Sequence, residues 1–279
     1  MISKLDSLAC GTLKLFSHRR NRLTETEIAA RTREQPYNPS KARKHISFFS
    51  KHLDFSGKSV VDIGCGYGDL LIGLAKAGIE RGLGVDLDPV RVECARKNAR
   101  AEGVADRLQF ECADFVKEYD TEDRFDLALS IGSFEHILDP GVCLRRIHDL
   151  LEPGGSLATR FGPLWWSPYG AHMFDFTPMP WVHVLFPESV VLRVRKEYFR
   201  PDQAVERYED IVGHLNRMTV GGFKKHAAGA GFTTRVFRVN PEKDWKWGGA
   251  LRPLNSIVNA LPVVREAGAL TLLAILDRC

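Results

Sequence analysis

VVDIGCGYGDL, residues Val60 to Leu70 of a 279-residue chain, is the stretch whose reading decides the fold. Val60, Val61 and Ile63 are β-branched and apolar, with Asp62 among them; Gly64, Gly66 and Gly68 then alternate with Cys65 and Tyr67. A helix-forming run follows from Leu70. That order reads as a buried strand, a glycine turn and a helix start. Glycine admits positive φ and lets a ligand lie against bare backbone, and the first turn of a helix offers N–H groups without intrahelical partners. A nucleotide-like or amino-acid-like ligand across the turn is the expectation.

Outward from the turn, strand and helix alternate. Strand 58–63 leads to a helix over 69–77, then a strand over 82–87 ending near Asp86, and a helix over 89–101 with Pro89 suited to its first position. Strands follow at 108–112 and 125–131, a helix at 142–151, and a fifth strand at 156–161 after Pro153-Gly154-Gly155. Such alternation calls for a mostly parallel sheet covered on both faces, with the strands' C-terminal ends along one rim. Upstream, residues 24–33 and 40–52 are predicted helical, as part of a helical cap over residues 1–54.

Past Gly162 the pattern changes. Residues 163–187 are crowded with Pro, Trp, Phe, Tyr and His, too aromatic for an idle connection, and they head a segment, 163–215, expected to act as a substrate lid. A helical stretch is predicted over 203–229 with a break near Thr219, strands over 232–239 and 270–276, and an insertion over 240–266. The domain expected to bind the ligand is therefore 55–239 together with 267–279.

Composition, with 44% hydrophobic and 27% charged residues, fits a folded enzyme, and a net charge of +4 makes no case for nucleic acid. The cysteines at 10, 65, 94, 112, 143 and 279 show no paired close spacing, so free thiols in a reducing, cytoplasmic setting are expected. The most apolar run, Ala267 to Leu276, is far short of the ~20 residues of a spanning helix, which leaves peripheral contact as the only membrane association to consider.

DIGCGYG, GVDLDP, CADF, FDLALSIGSFEHI and LLEPGGSL, in this order, resemble the successive motifs of the class I S-adenosylmethionine-dependent methyltransferases, strongly over residues 55–161 and weakly over 215–239. The resemblance implies an α/β, three-layer, Rossmann-like seven-stranded sheet with its last strand antiparallel. It also implies S-adenosylmethionine as cofactor, held by the main chain at Gly64, Cys65, Gly66 and Gly68, by Asp62 at the α-ammonium, and by Asp86 at the ribose hydroxyls. Leu87 would lie against the adenine, Asp114 and the main chain at Phe115 would address its edge, and Ser130 would present backbone to the amino-acid end. The competing dinucleotide pattern G-x-G-x-x-G is not met: Asp69 stands where the third glycine would be, and its charge at a helix start would repel a pyrophosphate.

Methyl transfer is an in-line displacement, so the chain must align the acceptor and exclude water; a hydroxyl acceptor also needs a base. The candidates are Glu135 and His136 after the fourth strand, and His172 in the aromatic loop with Asp175 nearby. Relatives in ubiquinone synthesis and small-RNA 3′-end methylation hold magnesium with Glu-x-x-Glu-His; here Gly132 replaces the first Glu, so a divalent metal on Glu135, His136 and His172 has no support from the motif. The function expected is methyl transfer to a small molecule, foremost a sugar or secondary-metabolite hydroxyl, by a monomer or homodimer. The alternatives are methylation of RNA or protein, and a non-catalytic cofactor-binding partner subunit.

Overall fold

A computed structural model of the chain describes residues 4–17, 35–119, 121–174, 176–199, 205–211, 215–241 and 261–279. The strands are β1 (Ser59–Ile63), β2 (Arg81–Asp86), β3 (Leu108–Cys112), β4 (Phe125–Ile131), β5 (Leu151–Phe161), β6 (Phe232–Val239) and β7 (Leu272–Arg278). Helices are α1 (Lys4–Leu15), α2 (Pro39–Phe49), α3 (Asp69–Ala77), α4 (Pro89–Ala101), α5 (Pro140–Leu150), α6 (Val182–Leu185), α7 (Glu188–Tyr198), α8 (Val220–Gly229) and α9 (Pro262–Gly268). One seven-stranded sheet runs in the order β3-β2-β1-β4-β5-β7-β6. β1 to β5 pair in parallel, and β7 runs antiparallel to both β5 and β6, as the motif order implies.

Alternation along β1 decides the layers. Val61 and Ile63 join the core under α5 and α8, with Leu144, Ile147 and Phe223, whereas Val60 faces the core under α2, α3 and α4, with Phe49, Leu71 and Ala95. A third core lies outside the sheet: Cys10 and Leu13 of α1 pack with Met173 and Phe176 of the post-β5 loop and with Val191 and Val194 of α7. The two described N-terminal helices thus serve different cores, α2 that of the sheet and α1 that of the post-β5 loop and α7.

Local chemistry sets several boundaries. Asn38 caps α2 by accepting from Ser40 and Lys41 N–H, so the helix starts at Pro39 and ends at Phe49. Among the described residues, the predicted helix over 203–229 is found as Val220–Gly229, with a 3-10 turn at Tyr208–Asp210; Thr219 caps α8, and residues 215–219 are drawn out of helical geometry by contacts described below. β5 begins at Leu151, earlier than the glycine pair suggests, because Leu151 pairs with Phe125 across an irregularity in the ladder. Predicted helix 24–33 and the core of the 240–266 insertion lie outside the described residues. Among the described residues no helix is long and apolar enough to cross a membrane.

Candidate functional site

The glycine bend is held by its own backbone and by one carboxylate. Gly64 and Cys65 N–H both donate to the Val85 carbonyl, at 2.8 and 3.2 Å, and Gly66 N–H donates to Asp86 Oδ2 at 2.8 Å. The three glycines have φ of +78°, +55° and +79°, a region where a side chain is strained. At Gly64 a Cβ would stand 2.2 Å from Ser133 Oγ, so the missing side chain lets the post-β4 turn lie against the bend. At Gly66 a Cβ would meet nothing within 4 Å, and that open face is a cradle of the kind a ligand's backbone contact requires. Asp86 also accepts from Asp88 N–H at 3.0 Å; each carboxylate oxygen keeps a lone pair for a further donor.

Beside the bend lies a cavity of about 270 Å³. It is lined by Asp62, Cys65 and Gly132 together with Lys41, His45 and Arg160. Asp62 is 3% exposed, and among the described residues no donor reaches its carboxylate. Burial raises its pKa to about 7, with the Asp86 charge adding to the rise and Lys41 opposing it. Burial likewise pushes the Cys65 thiol up, so it lines the cavity as a neutral group. Desolvation, then the charges of Lys41 and Arg160, take His45 down to about 4.

Asp69 is not the bare charge that the sequence suggests. It accepts from Asn38 N–H at 2.8 Å and pairs with Lys41 at 2.9 Å, so the N-terminal segment neutralises it and is fastened to the bend by it. Repulsion of a pyrophosphate by Asp69 is therefore weaker than expected from the sequence, and the glycine spacing remains the argument against a dinucleotide.

The remaining expected contacts divide. Leu87 is 64% exposed beside the bend, an apolar surface awaiting cover. Asp114 accepts from Val116 and Lys117 N–H, at 2.9 and 3.2 Å, capping the turn after β3. Phe115 is a core residue whose ring stacks on Tyr119 at 5.6 Å, leaving its main chain at the turn. Ser130 is fully buried: its hydroxyl donates to Ile63 O at 3.0 Å, and its carbonyl accepts from Thr159 Oγ1 at 2.8 Å. The next two residues, Ile131 and Gly132, line the cavity.

Glu135, His136 and His172 do meet at one rim. Glu135 is 6% exposed; Oε1 accepts from Gly162 N–H at 3.2 Å, Oε2 has no partner, and burial raises its pKa. The His136 and His172 rings meet edge to face at 5.2 Å. His172 has φ +55°, and its Nε2 lies 3.2 Å from the Pro163 carbonyl. A carbonyl only accepts, so Nε2 carries the proton and Nδ1 the lone pair. Burial, then the neighbouring His136, lowers the His172 pKa to about 4, and the ring is neutral near pH 7. With one Glu135 oxygen and one His172 nitrogen so engaged, the suggested metal set does not assemble; among the described residues no three His, Cys, Asp or Glu side chains are grouped to hold an ion. Asp175 lies outside the described residues.

Comparison with known proteins bears on this geometry. A family model described as Methyltransferase domain matches residues 60–155. Over those residues the chain resembles a methyltransferase domain. Within it, a ribosomal protein L11 methyltransferase of Tolumonas auensis is 49% identical over 57 residues, 20% of each chain. A ubiquinone biosynthesis O-methyltransferase of Neisseria meningitidis is 32% identical over 111 residues, 39% of this chain and 46% of that one. The chain thus spans less than half the length of these curated relatives. An S-adenosylmethionine-dependent methyltransferase structure from Mesorhizobium loti superposes with TM-score 0.56 at 20% identity, covering 86% of this chain and all of that one, a likeness of fold.

Two features of this methyltransferase domain escape sequence reading. Lys41, His45 and Arg160 come from α2 and β5, and no local pattern marks them as neighbours of Asp62. Asn216 clamps the post-β4 turn: its N–H donates to Glu135 O at 3.1 Å, and its Nδ2 to Phe134 O and Ile137 O at 2.5 and 2.6 Å. Those bonds explain why residues around 216 abandon the helix that their composition favours.

Proposed function

We propose that this chain is an S-adenosylmethionine-dependent methyltransferase acting on a hydroxyl of a small molecule, a sugar or a secondary metabolite. The observation that carries the reading is the mixed charge of the cavity lining: a buried Asp62, without a hydrogen-bond donor among the described residues, and the cationic Lys41 and Arg160, beside a bend with an open glycine face. That arrangement complements an amino-acid zwitterion, ammonium toward Asp62 and carboxylate toward Lys41 and Arg160. Asp86 would take the ribose and Leu87 the adenine, with Asp114 and the Phe115 main chain at its edge. In domain terms, 55–239 with 267–279 would hold the cofactor, 163–215 would cover the acceptor, and 1–54 would supply the cap.

When bound, S-adenosylmethionine supplies a methyl carbon activated by the sulfonium. The chain's residues align the acceptor, keep water out and remove a proton. His172 Nδ1, a lone pair fixed by the Nε2–H bond to Pro163, accepts the hydroxyl proton as the oxygen–carbon bond forms; His136 steers the ring at its edge. Glu135 holds Gly162 in place from beneath. Free thiols at all six cysteines suit a reducing cytoplasm. A macromolecular acceptor is the second reading, favoured by the relative named for ribosomal protein L11.

Calorimetry tests the cofactor. S-Adenosylhomocysteine should bind, and NAD and NADP should give no heat; dinucleotide binding in its place would end the reading. For the acceptor, radiolabelled methyl transfer to hydroxyl-bearing metabolites should exceed transfer to ribosomal protein or RNA, and should drop at least tenfold in H172A.

A further inference from the structure

A continuous row of rings leads away from the bend. His136 meets His172 at 5.2 Å, His172 meets Phe174 at 5.8 Å, and Phe174 meets Tyr169 at 5.9 Å. Its inner end is anchored at the cavity. Gly132 lines the cavity four positions before His136, and the Pro163 carbonyl that holds His172 belongs to the residue after Gly162, another wall residue. Its outer end is open, with Phe174 48% and Tyr169 36% exposed and Leu138 of the adjoining turn 54% exposed. Large aromatic rings left half in water, a few residues along the chain from the cavity lining, mark a place where something covers them.

The chemistry of the row narrows the occupant. The four side chains of the row include no carboxylate, ammonium or guanidinium. A phosphorylated or carboxylated acceptor would find no counter-charge along the row. A sugar ring would bring several hydroxyls to a surface whose polar atoms are imidazole nitrogens, one of them already committed to Pro163, and each hydroxyl desolvated without a partner costs about 1–3 kcal/mol. A flat ring with one hydroxyl loses nothing there: its faces meet Phe174 and Tyr169 in offset or tilted contact, and its hydroxyl reaches the histidine pair.

We propose that the acceptor is a neutral aromatic compound, a phenol, laid along His172, Phe174 and Tyr169 with its hydroxyl toward the histidine pair at the cavity mouth. This rests on the methyltransferase reading and chooses the secondary-metabolite arm of it over the sugar. In the reaction the phenolic O–H bond breaks toward imidazole, the oxygen takes the methyl carbon, and the carbon–sulfur electron pair returns to sulfur, leaving an aryl methyl ether, a thioether and an imidazolium that releases its proton to solvent.

The test is saturation-transfer NMR on the full chain saturated with S-adenosylhomocysteine, using catechol, methyl glucopyranoside and phenyl phosphate as probes. Catechol should give transfer to its ring protons, the other two little or none, and the Y169A/F174A double variant should lose at least fivefold of the catechol signal. S-Adenosylhomocysteine affinity should stay within twofold in that variant, which also reports that it is folded. Stronger transfer to the glucoside or to phenyl phosphate, no transfer to catechol, or a catechol signal indifferent to the double substitution would each overturn the proposal. Failure of S-adenosylhomocysteine to bind the wild-type chain would instead strike the methyltransferase reading itself.

Discussion

Asp62 and Asp86 reach the bend from adjacent strands of one local strand-turn-helix unit, whereas Lys41, His45 and Arg160 join the cavity wall from α2 and the far end of β5. The first wall is built from backbone: N–H groups of Gly64, Cys65 and Gly66 are tied to Val85 and Asp86, and the missing side chains make the room. The second is built from long side chains whose places depend on how α2 docks. That docking rests on the Asn38 and Lys41 contacts to Asp69 and on Gly73, where a Cβ would stand 2.7 Å from Ala42 Cβ. A backbone wall fixes position, and a side-chain wall adds charge. Substitutions on the two should therefore fail in different ways.

The largest effect is expected on the backbone wall. In G64V, positive φ and the overlap with Ser133 together should cost about 2–4 kcal/mol of stability and abolish S-adenosylhomocysteine binding. Thermal melts and calorimetry measure both, and a G64V protein that still binds the cofactor product would remove the bend from the site.

D62N should come next, weakening S-adenosylhomocysteine roughly a hundredfold by removing the ammonium's counter-charge. Its effect on the free protein has the opposite sign. The folded pKa of Asp62, about 7, lies above its ordinary value of 3.8. The folded chain thus holds a proton that the unfolded chain releases between about pH 4 and 7, and stability falls as pH rises through that window. A neutral amide carries no such penalty, so D62N should be more stable than wild type at pH 8, on the order of 2 kcal/mol, with the gap closing toward pH 4 in denaturant titrations. A gap that widens on acidification would contradict the assignment.

On the side-chain wall, K41M and R160M should each weaken S-adenosylhomocysteine about tenfold while leaving 5′-methylthioadenosine, which has no carboxylate, unchanged. Equal losses for both ligands would show that the two cations hold up the wall rather than bind charge; Arg160 lies 4.3 Å from the Phe48 ring centroid and could act in that way. The smallest effect is expected at Leu87: L87A should cost two- to threefold in affinity, since only one face of an adenine would lose apolar cover.

Legibility in the sequence follows the same divide. Helices 69–77 and 89–101 and strands 108–112, 125–131 and 232–239 stand where pattern and punctuation place them, because each is specified by neighbours along the chain. Residues 215–219, within the stretch 203–229 expected to be helical, are claimed by Asn216, whose bonds to Phe134, Glu135 and Ile137 outweigh a propensity of a few tenths of a kcal/mol per residue. The direction of the Ser130 side chain was equally illegible: its hydroxyl bonds to Ile63 O, and a strand's two-residue period gives the face only once the layers are known.

Alone, the sequence determined the doubly covered sheet and the glycine bend with Asp62 and Asp86, since these depend on backbone conformation and on spacing within one supersecondary unit, while the antiparallel last strand came from the resemblance of the motifs to a known family. Tertiary structure alone decided that Asp69 is neutralised by Lys41, that Arg160 and His45 line one cavity with Asp62, and that His136, His172, Phe174 and Tyr169 form one row. Those relations join residues from separate elements, and their positions are set by core packing and charge pairing between layers, which no local pattern records.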